Sequence, residues 1–244
     1  MTSTPPLALL LPPSEGKAEG GRGRWDPAAG TVAFRGLAER REQVACALAA
    51  IGGGDEKLLG VGGAHLARAQ SANGSLLGAP VRRAGERYTG VVWDHLGLAS
   101  LSTEARRRAH GSIVVVSGLM GVVGVDDPVP DYRLKMGASL APMGKLSTWW
   151  RPAVSETIGR WAKRRFVVDL LPLEHRAAFE PEGKRGVSVA FVERAGGGTG
   201  RVVGHDAKAA KGRLARHLLC SDLHPLDALE AWADDRFALS IVAW

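Results

Sequence analysis

Ser112-Ile113-Val114-Val115-Val116 runs directly into Ser117-Gly118-Leu119-Met120-Gly121, and this stretch decides the fold class. The first half is β-branched and apolar, which fits a pleated, packed surface and gives the clearest strand signal in the chain. The second half is a glycine-rich turn where the backbone can approach another group closely. Working upstream, residues 102–110 read as a basic helix with Thr103 as its cap, and 88–93 as another strand. Residues 58–72 read as a turn and a short helix. A longer helix is expected over 36–51, with Leu37, Val44, Leu48 and Ile51 on one face and Arg40, Arg41 and Glu42 off it. Gly52-Gly53-Gly54 ends it, and 18–31 is a Gly/Arg/Pro loop. The apolar run Leu7–Leu11, stopped by Pro12-Pro13, reads as a first buried strand.

Downstream, the pattern predicts a long helix over 146–164 and a strand over 166–171. A hairpin follows, pairing 187–192 with 201–203 through Gly196-Gly197-Gly198. Helices over 206–219 and 225–233 then precede a last strand over 237–244. Strands and helices interleave, which favours an α+β fold with a mixed sheet surrounded by helices. No linker or internal repeat divides the chain, so residues 1–244 are expected to form a single compact domain.

Bulk properties bound the function. The 244 residues are 45% hydrophobic and 23% charged, ordinary globular values. The formal charge is +7 and the pI about 9.8, a balance that attracts polyanions. Arginine, alanine and glycine dominate, as GC-rich coding also produces, so charge alone does not assign a partner. Cys46 and Cys220 are far apart and outside any Cys-x-x-Cys, which fits a reducing compartment. The N-terminal apolar run is too short for a signal peptide or a membrane span, and a cytoplasmic protein is expected.

Five stretches could carry chemistry. Ser14-Glu15-Gly16-Lys17 follows the first strand and offers a hydroxyl, a carboxylate and an ammonium together. It is not a P-loop, because Ala18 stands where Ser or Thr should follow the lysine. Ser117-Gly118 opens the glycine loop. In Asp131-Tyr132-Arg133-Leu134-Lys135, Arg133 and Lys135 alternate and so point the same way in an extended segment. Lys208 and Lys211, and likewise Arg213 and Arg216, share faces of one helix. Leu59-Gly60-Val61-Gly62-Gly63 resembles the hairpin of a helix-hairpin-helix element, placed at 58–72. Each also has a plain reading as a turn or a solvated surface. The seven histidines are scattered, so no metal site is indicated. A serine hydrolase lacks its Gly-x-Ser-x-Gly elbow.

Taken in order, these stretches resemble the YaaA family. The sequence runs from Pro-Ser-Glu-Gly-Lys through Tyr88-Thr89-Gly90 and Ser117-Gly-Leu-Met-Gly121. It continues through Tyr132-Arg-Leu-Lys-Met-Gly137 and a helix bearing Trp149 and Trp150, to Ala207-Lys-Ala-Ala-Lys-Gly212. The resemblance implies a cytoplasmic peroxide-stress protein that limits free iron. It also implies a mixed α and β fold, a basic cleft, a helix-hairpin-helix-like element and DNA binding. It places Ser14, Glu15, Lys17, Tyr88, Thr89, Ser117, Gly118, Arg133, Lys208 and Lys211 at the cleft, and no cofactor. Two departures stand out. Relatives carry a Ser-Pro-Ala-Lys-Thr-like first motif, and a Ser-Asp-Glu-Tyr-like stretch where this chain has Pro172-Leu-Glu-His175.

Two functions are therefore carried forward. One is a binding protein for DNA or another phosphate-bearing ligand. The other is a hydrolase or lyase on a nucleotide-like substrate, with Ser14, Glu15 and Lys17 as the catalytic group. In that reading Glu15 is the acid–base and Lys17 and Arg133 hold the anion. Direct iron sequestration is disfavoured by the absence of clustered ligands.

Overall fold

A computed structural model describes residues 5–181, 185–194 and 204–244. Among these, the strands are β1 (Leu7–Leu11), β2 (Val81–Arg83), β3 (Ile113–Ser117), β4 (Gly121–Gly124), β5 (Pro128–Pro130), β6 (Ser139–Leu140), β7 (Gly144–Lys145), β8 (Phe166–Asp169), β9 (Gly186–Glu193) and β10 (Phe237–Ala243). The helices are α1 (Ala38–Ala50), α2 (Glu56–Leu59), α3 (Gly63–Gly74), α4 (Ala84–Arg87), α5 (Val91–Leu96), α6 (Thr103–Ser112), α7 (Leu146–Ala162), α8 (Leu173–Arg176), α9 (Gly204–Cys220) and α10 (Pro225–Glu230).

Six strands form one mixed sheet in the order β10-β9-β8-β1-β3-β4. The inner four run parallel, and β4 and β10 close the edges antiparallel. Parallel strands are covered on both faces, which demands continuous apolar runs. Residues 8–11 and 113–116 are such runs, and all are essentially inaccessible. Along the chain, the parallel strands proceed from β1 to β3 on one side, then return to β8 and β9 on the other. The direction of winding thus reverses between β1 and β8. In open sheets of this kind ligands lie outside the carboxyl ends at such a reversal.

The structure corrects several expectations. α1 buries Leu37, Arg41, Val44 and Leu48 on one face, while Ile51 stands 50% exposed. Arg41 was expected off the apolar face. It is buried because it donates to three carbonyls, those of Pro27, Met120 and Val122, at 2.7–2.9 Å. With each of its three nitrogens donating, its guanidinium ties α1 to the turn after β3. Residues 88–93 are not a strand. Tyr88 makes one isolated bridge to Lys17, then Gly90 takes φ +116° and α5 begins. Val92, Trp93 and Leu96 are then buried at helical spacing. The cap of α6 is Ser102 rather than Thr103, its hydroxyl accepting from Ala105 N–H at 3.2 Å. β9 pairs with β8 and β10, and the other arm of the expected hairpin, residues 201–203, lies outside the described residues. β2, β5 and the β6–β7 hairpin are too short to show a period in sequence. No helix among the described residues is long and apolar enough to cross a membrane.

Gly121 ends the turn after β3 with φ +65°, and a Cβ there would sit 2.6 Å from the Trp150 ring. Gly121→Ala is therefore expected to destabilise the protein by at least ~2 kcal/mol in urea unfolding, from left-handed strain and overpacking together. Gly111 lies in α6 with open space around it. Gly111→Ala is expected to leave stability unchanged or raise it by up to ~1 kcal/mol.

Candidate functional site

The segment after β1, the segment after β5 and α3 meet in one cleft, and the segment after β8 is joined to it through Glu174. Pro12-Pro13 cannot extend the ladder, so the chain turns out of the sheet after β1. Residues 16–18 then lie antiparallel to 87–89. Thr89 N–H donates to Gly16 O at 3.1 Å and Ala18 N–H to Arg87 O at 2.9 Å. The Ser14 hydroxyl donates to Thr89 O. Behind this strip, buried Arg87 donates to the carbonyls of Ala18, Gly20, Pro80 and Val129 and pins the loop in place.

Lys17 turns inward. Its Nζ donates to Ser14 O at 2.8 Å and sits 4.1 Å from the centre of the Tyr132 ring and 5.7 Å from that of Tyr88. Among the described residues no carboxylate reaches ion-pairing distance of it. Burial with one polar acceptor penalises the ammonium and brings Lys17 down to about 7. Beside it runs a buried hydroxyl chain, with Tyr88 to Tyr132 at 3.0 Å and Tyr132 to Ser117 at 2.6 Å. Burial pushes Tyr132 up to about 12 and Tyr88 well above its ordinary value.

The segment 131–136 is extended, as its alternation predicts. Tyr132, Leu134 and Met136 enter the core, while Asp131, Arg133 and Lys135 face the cleft. Arg133 pairs with Glu15 at 2.7 Å, and Lys135 lies 4.0 Å from the same carboxylate. The backbone here is held by Asn73, which is fully buried. Its amide donates to Gly53 O and Arg133 O and accepts from Arg133 N–H, all at 2.8–2.9 Å. Gly118 is needed for close approach, but what approaches is the chain itself. A Cβ there would lie 2.9 Å from Leu134 O. Residues 15–17, 89 and 131–133, with His65, Arg68, Ala69 and Ala72 of α3, line a cavity of about 250 Å³. Arg68 pairs with Asp131 at 2.9 Å and Glu19 at 2.7 Å across its rim.

The stretch 58–72 does form two helices around a glycine hairpin. Gly60 caps α2 in the left-handed region, and Gly62 precedes α3 without a side-chain cap. On the other side of Glu15 lies the segment after β8. Asp169 is buried and accepts from Arg176 at 2.6 Å and Ser188 at 3.1 Å. Glu174 accepts from Gly137 N–H at 2.8 Å, joining this segment to the 131–137 strip. His175 has a buried Nδ1 without a hydrogen-bond partner in the structure. Burial lowers it to about 4, with Lys211 adding to the effect while Glu174 and Glu15 oppose it.

Of the residues named from sequence, Ser14, Glu15, Lys17, Tyr88, Thr89, Ser117 and Arg133 come together here. Gly118 sits behind them. Lys208 is exposed on α9, but Lys211 folds inward to donate to Leu170 O, and burial brings it to about 8. Arg213 and Arg216 are spent on Asp234 and on the residues ending α5. The four bases therefore do not form one continuous basic ridge. Glu15, expected as a buried acid–base, has a side chain 64% exposed and is engaged by Arg133. His65, Arg68, Asn73 and His175 are the site residues that sequence reasoning missed.

Fold and cleft define a mixed α+β protein with a cavity beyond the carboxyl end of β1, flanked by α2 and α3. The family described as "Peroxide stress protein YaaA" matches residues 8–241. A UPF0246 protein of Streptomyces coelicolor is 40% identical over 223 residues, covering 90% of this chain and 85% of its own. A UPF0246 protein of Corynebacterium glutamicum is 31% identical over 223 residues, covering 88% and 86%. The chain belongs to the YaaA peroxide stress family.

His175 tests the packing of this region. In the unfolded chain it titrates near 6.5, and in the folded protein near 4. The unfolded state binds more protons between these values, so its contribution to stability is fully present above pH 6.5 and is lost as pH falls towards 4. A His175→Phe variant is expected to flatten the fall of urea-unfolding free energy across that window. An unchanged slope would show that His175 is not buried neutral.

Proposed function

We propose that this protein acts in the peroxide-stress response by holding a phosphate-bearing ligand, DNA foremost, at the mouth of the cavity. One observation carries this reading. Arg133 and Lys135 come off one face of a single extended strip and converge beside the glycine hairpin, where Lys135 Nζ would lie 2.6 Å from a Cβ on Gly60. The uncapped first turn of α3 adds backbone N–H groups at the same place. Fork-shaped guanidinium, point-charge ammonium and helix-terminal amides are the three usual phosphate partners. Glu15 holds the two cations together until a phosphate replaces it as their counter-ion. Family membership supports the peroxide-stress role, and the +7 charge suits a polyanionic partner.

Fluorescence anisotropy against duplex, single-stranded and bubble DNA at two salt concentrations tests the reading. Binding is expected to weaken steeply with salt. The Arg133→Ala/Lys135→Ala variant is expected to bind less tightly and to lose about 1 unit of salt slope per phosphate contact removed. Absent or salt-insensitive binding of every DNA form would overturn the proposal.

A further inference from the structure

We propose that Lys17 is the reactive group of the cavity, its amine condensing with the aldehyde or ketone carbon of a phosphorylated ligand to form an imine. The inference rests on the phosphate-binding reading above, which places the ligand's phosphate on Arg133 and Lys135 and its attached carbon chain in the cavity.

Geometry sets Lys17 apart from the other lysines. Lys17 lines the cavity, and its Nζ lies over the Tyr132 ring, which covers one side of it. It has one polar acceptor, Ser14 O, and no carboxylate at pairing distance among the described residues. An ammonium there would lack two hydrogen-bond partners and a counter-ion at pairing distance among the described residues, and burial outweighs the tyrosine faces and the more distant Asp131 and Glu15 that favour it. The neutral amine needs neither and keeps a lone pair for attack, the property that makes buried lysines Schiff-base formers. The lowered lysine value of about 7 agrees with this. Lys211 is also buried and donates to Leu170 O, but it is not among the residues that line this cavity. Lys57 and Lys145 are exposed on the surface.

The step balances without a cofactor. The nitrogen lone pair forms the C–N bond, and the carbonyl π pair moves to oxygen, which takes up a proton as the nitrogen loses one. The carbinolamine then expels its hydroxyl as water, taking the second proton from nitrogen, and the C=N bond forms. Amine plus carbonyl gives imine plus water, with no change in oxidation state.

Glyceraldehyde 3-phosphate is the probe, with cyanoborohydride to trap the imine and peptide mass mapping to locate it. At neutral pH the Lys17 adduct is expected to form at least on the order of 10-fold faster than adducts at Lys57 or Lys145, because its amine is held beside the cavity and burial favours its unprotonated form. Glyceraldehyde without phosphate is expected to label Lys17 more slowly. Lys17→Arg is expected to abolish the adduct. If DNA binds and Lys17 labels no faster than the surface lysines, the imine proposal fails alone. If Lys17 labels selectively but with no preference for the phosphorylated aldehyde and no DNA binding, the reactive lysine stands and the phosphate-binding reading falls.

Discussion

β1 is hydrogen-bonded on both flanks, to β3 through Leu9–Leu11 and to β8 through Leu7–Leu10. That double pairing fixes the cleft. With β1 locked between two parallel neighbours, its carboxyl end cannot shift against theirs. Pro12-Pro13 then throws the chain out at the point where the winding reverses. The strip 14–18 crosses the ends of the sheet and pairs with 87–89, so a hydroxyl, a carboxylate and a lysine arrive over Ser117 and Tyr132 without any loop having to find them. A change that loosened β1 would move every one of these groups at once.

The cleft divides its charges by burial. At the mouth Arg133, Lys135 and Glu15 remain in contact with water, where ion pairs are worth little and are easily exchanged for a ligand. Below it, Lys17 lies among aromatic rings and hydroxyls with no partner of opposite charge at pairing distance among the described residues. Removing an unpaired charge from water costs far more than an exposed pair returns, so the two levels behave differently. The upper one suits recognition of an anion, and the lower one suits an uncharged amine. Asn73 couples them to the scaffold, because its three hydrogen bonds hold Arg133 against the turn that follows α1.

Much of this was legible in the sequence where one physical cause dominated. Leu7–Leu11 and Ile113–Ser117 are strands because runs of apolar residues must be covered on both faces, and Arg133 and Lys135 share a side because strands alternate. Where partners lie far apart in the chain, legibility failed. Arg41 reads as a solvated charge, yet its acceptors at Met120 and Val122 turn it inward. Residues 88–93 have strand composition, but Gly90 redirects them and the contact with α9 makes them helical. Lys208 and Lys211 look equivalent at helical spacing, and only the Leu170 carbonyl distinguishes them. Arg68, Asn73 and His175 carried no local signal, since the groups that engage them come from other segments.

The central claim is that Lys17 is buried beside the cavity without a counter-ion. NMR titration of the lysine ¹³Cε resonances, with Lys17 assigned by its loss in Lys17→Arg, tests it most directly. The account predicts a titration near 7 that moves upward when inorganic phosphate is added. A midpoint near 10.5, indifferent to phosphate, would mean that Lys17 is an ordinary solvated lysine and would contradict the account.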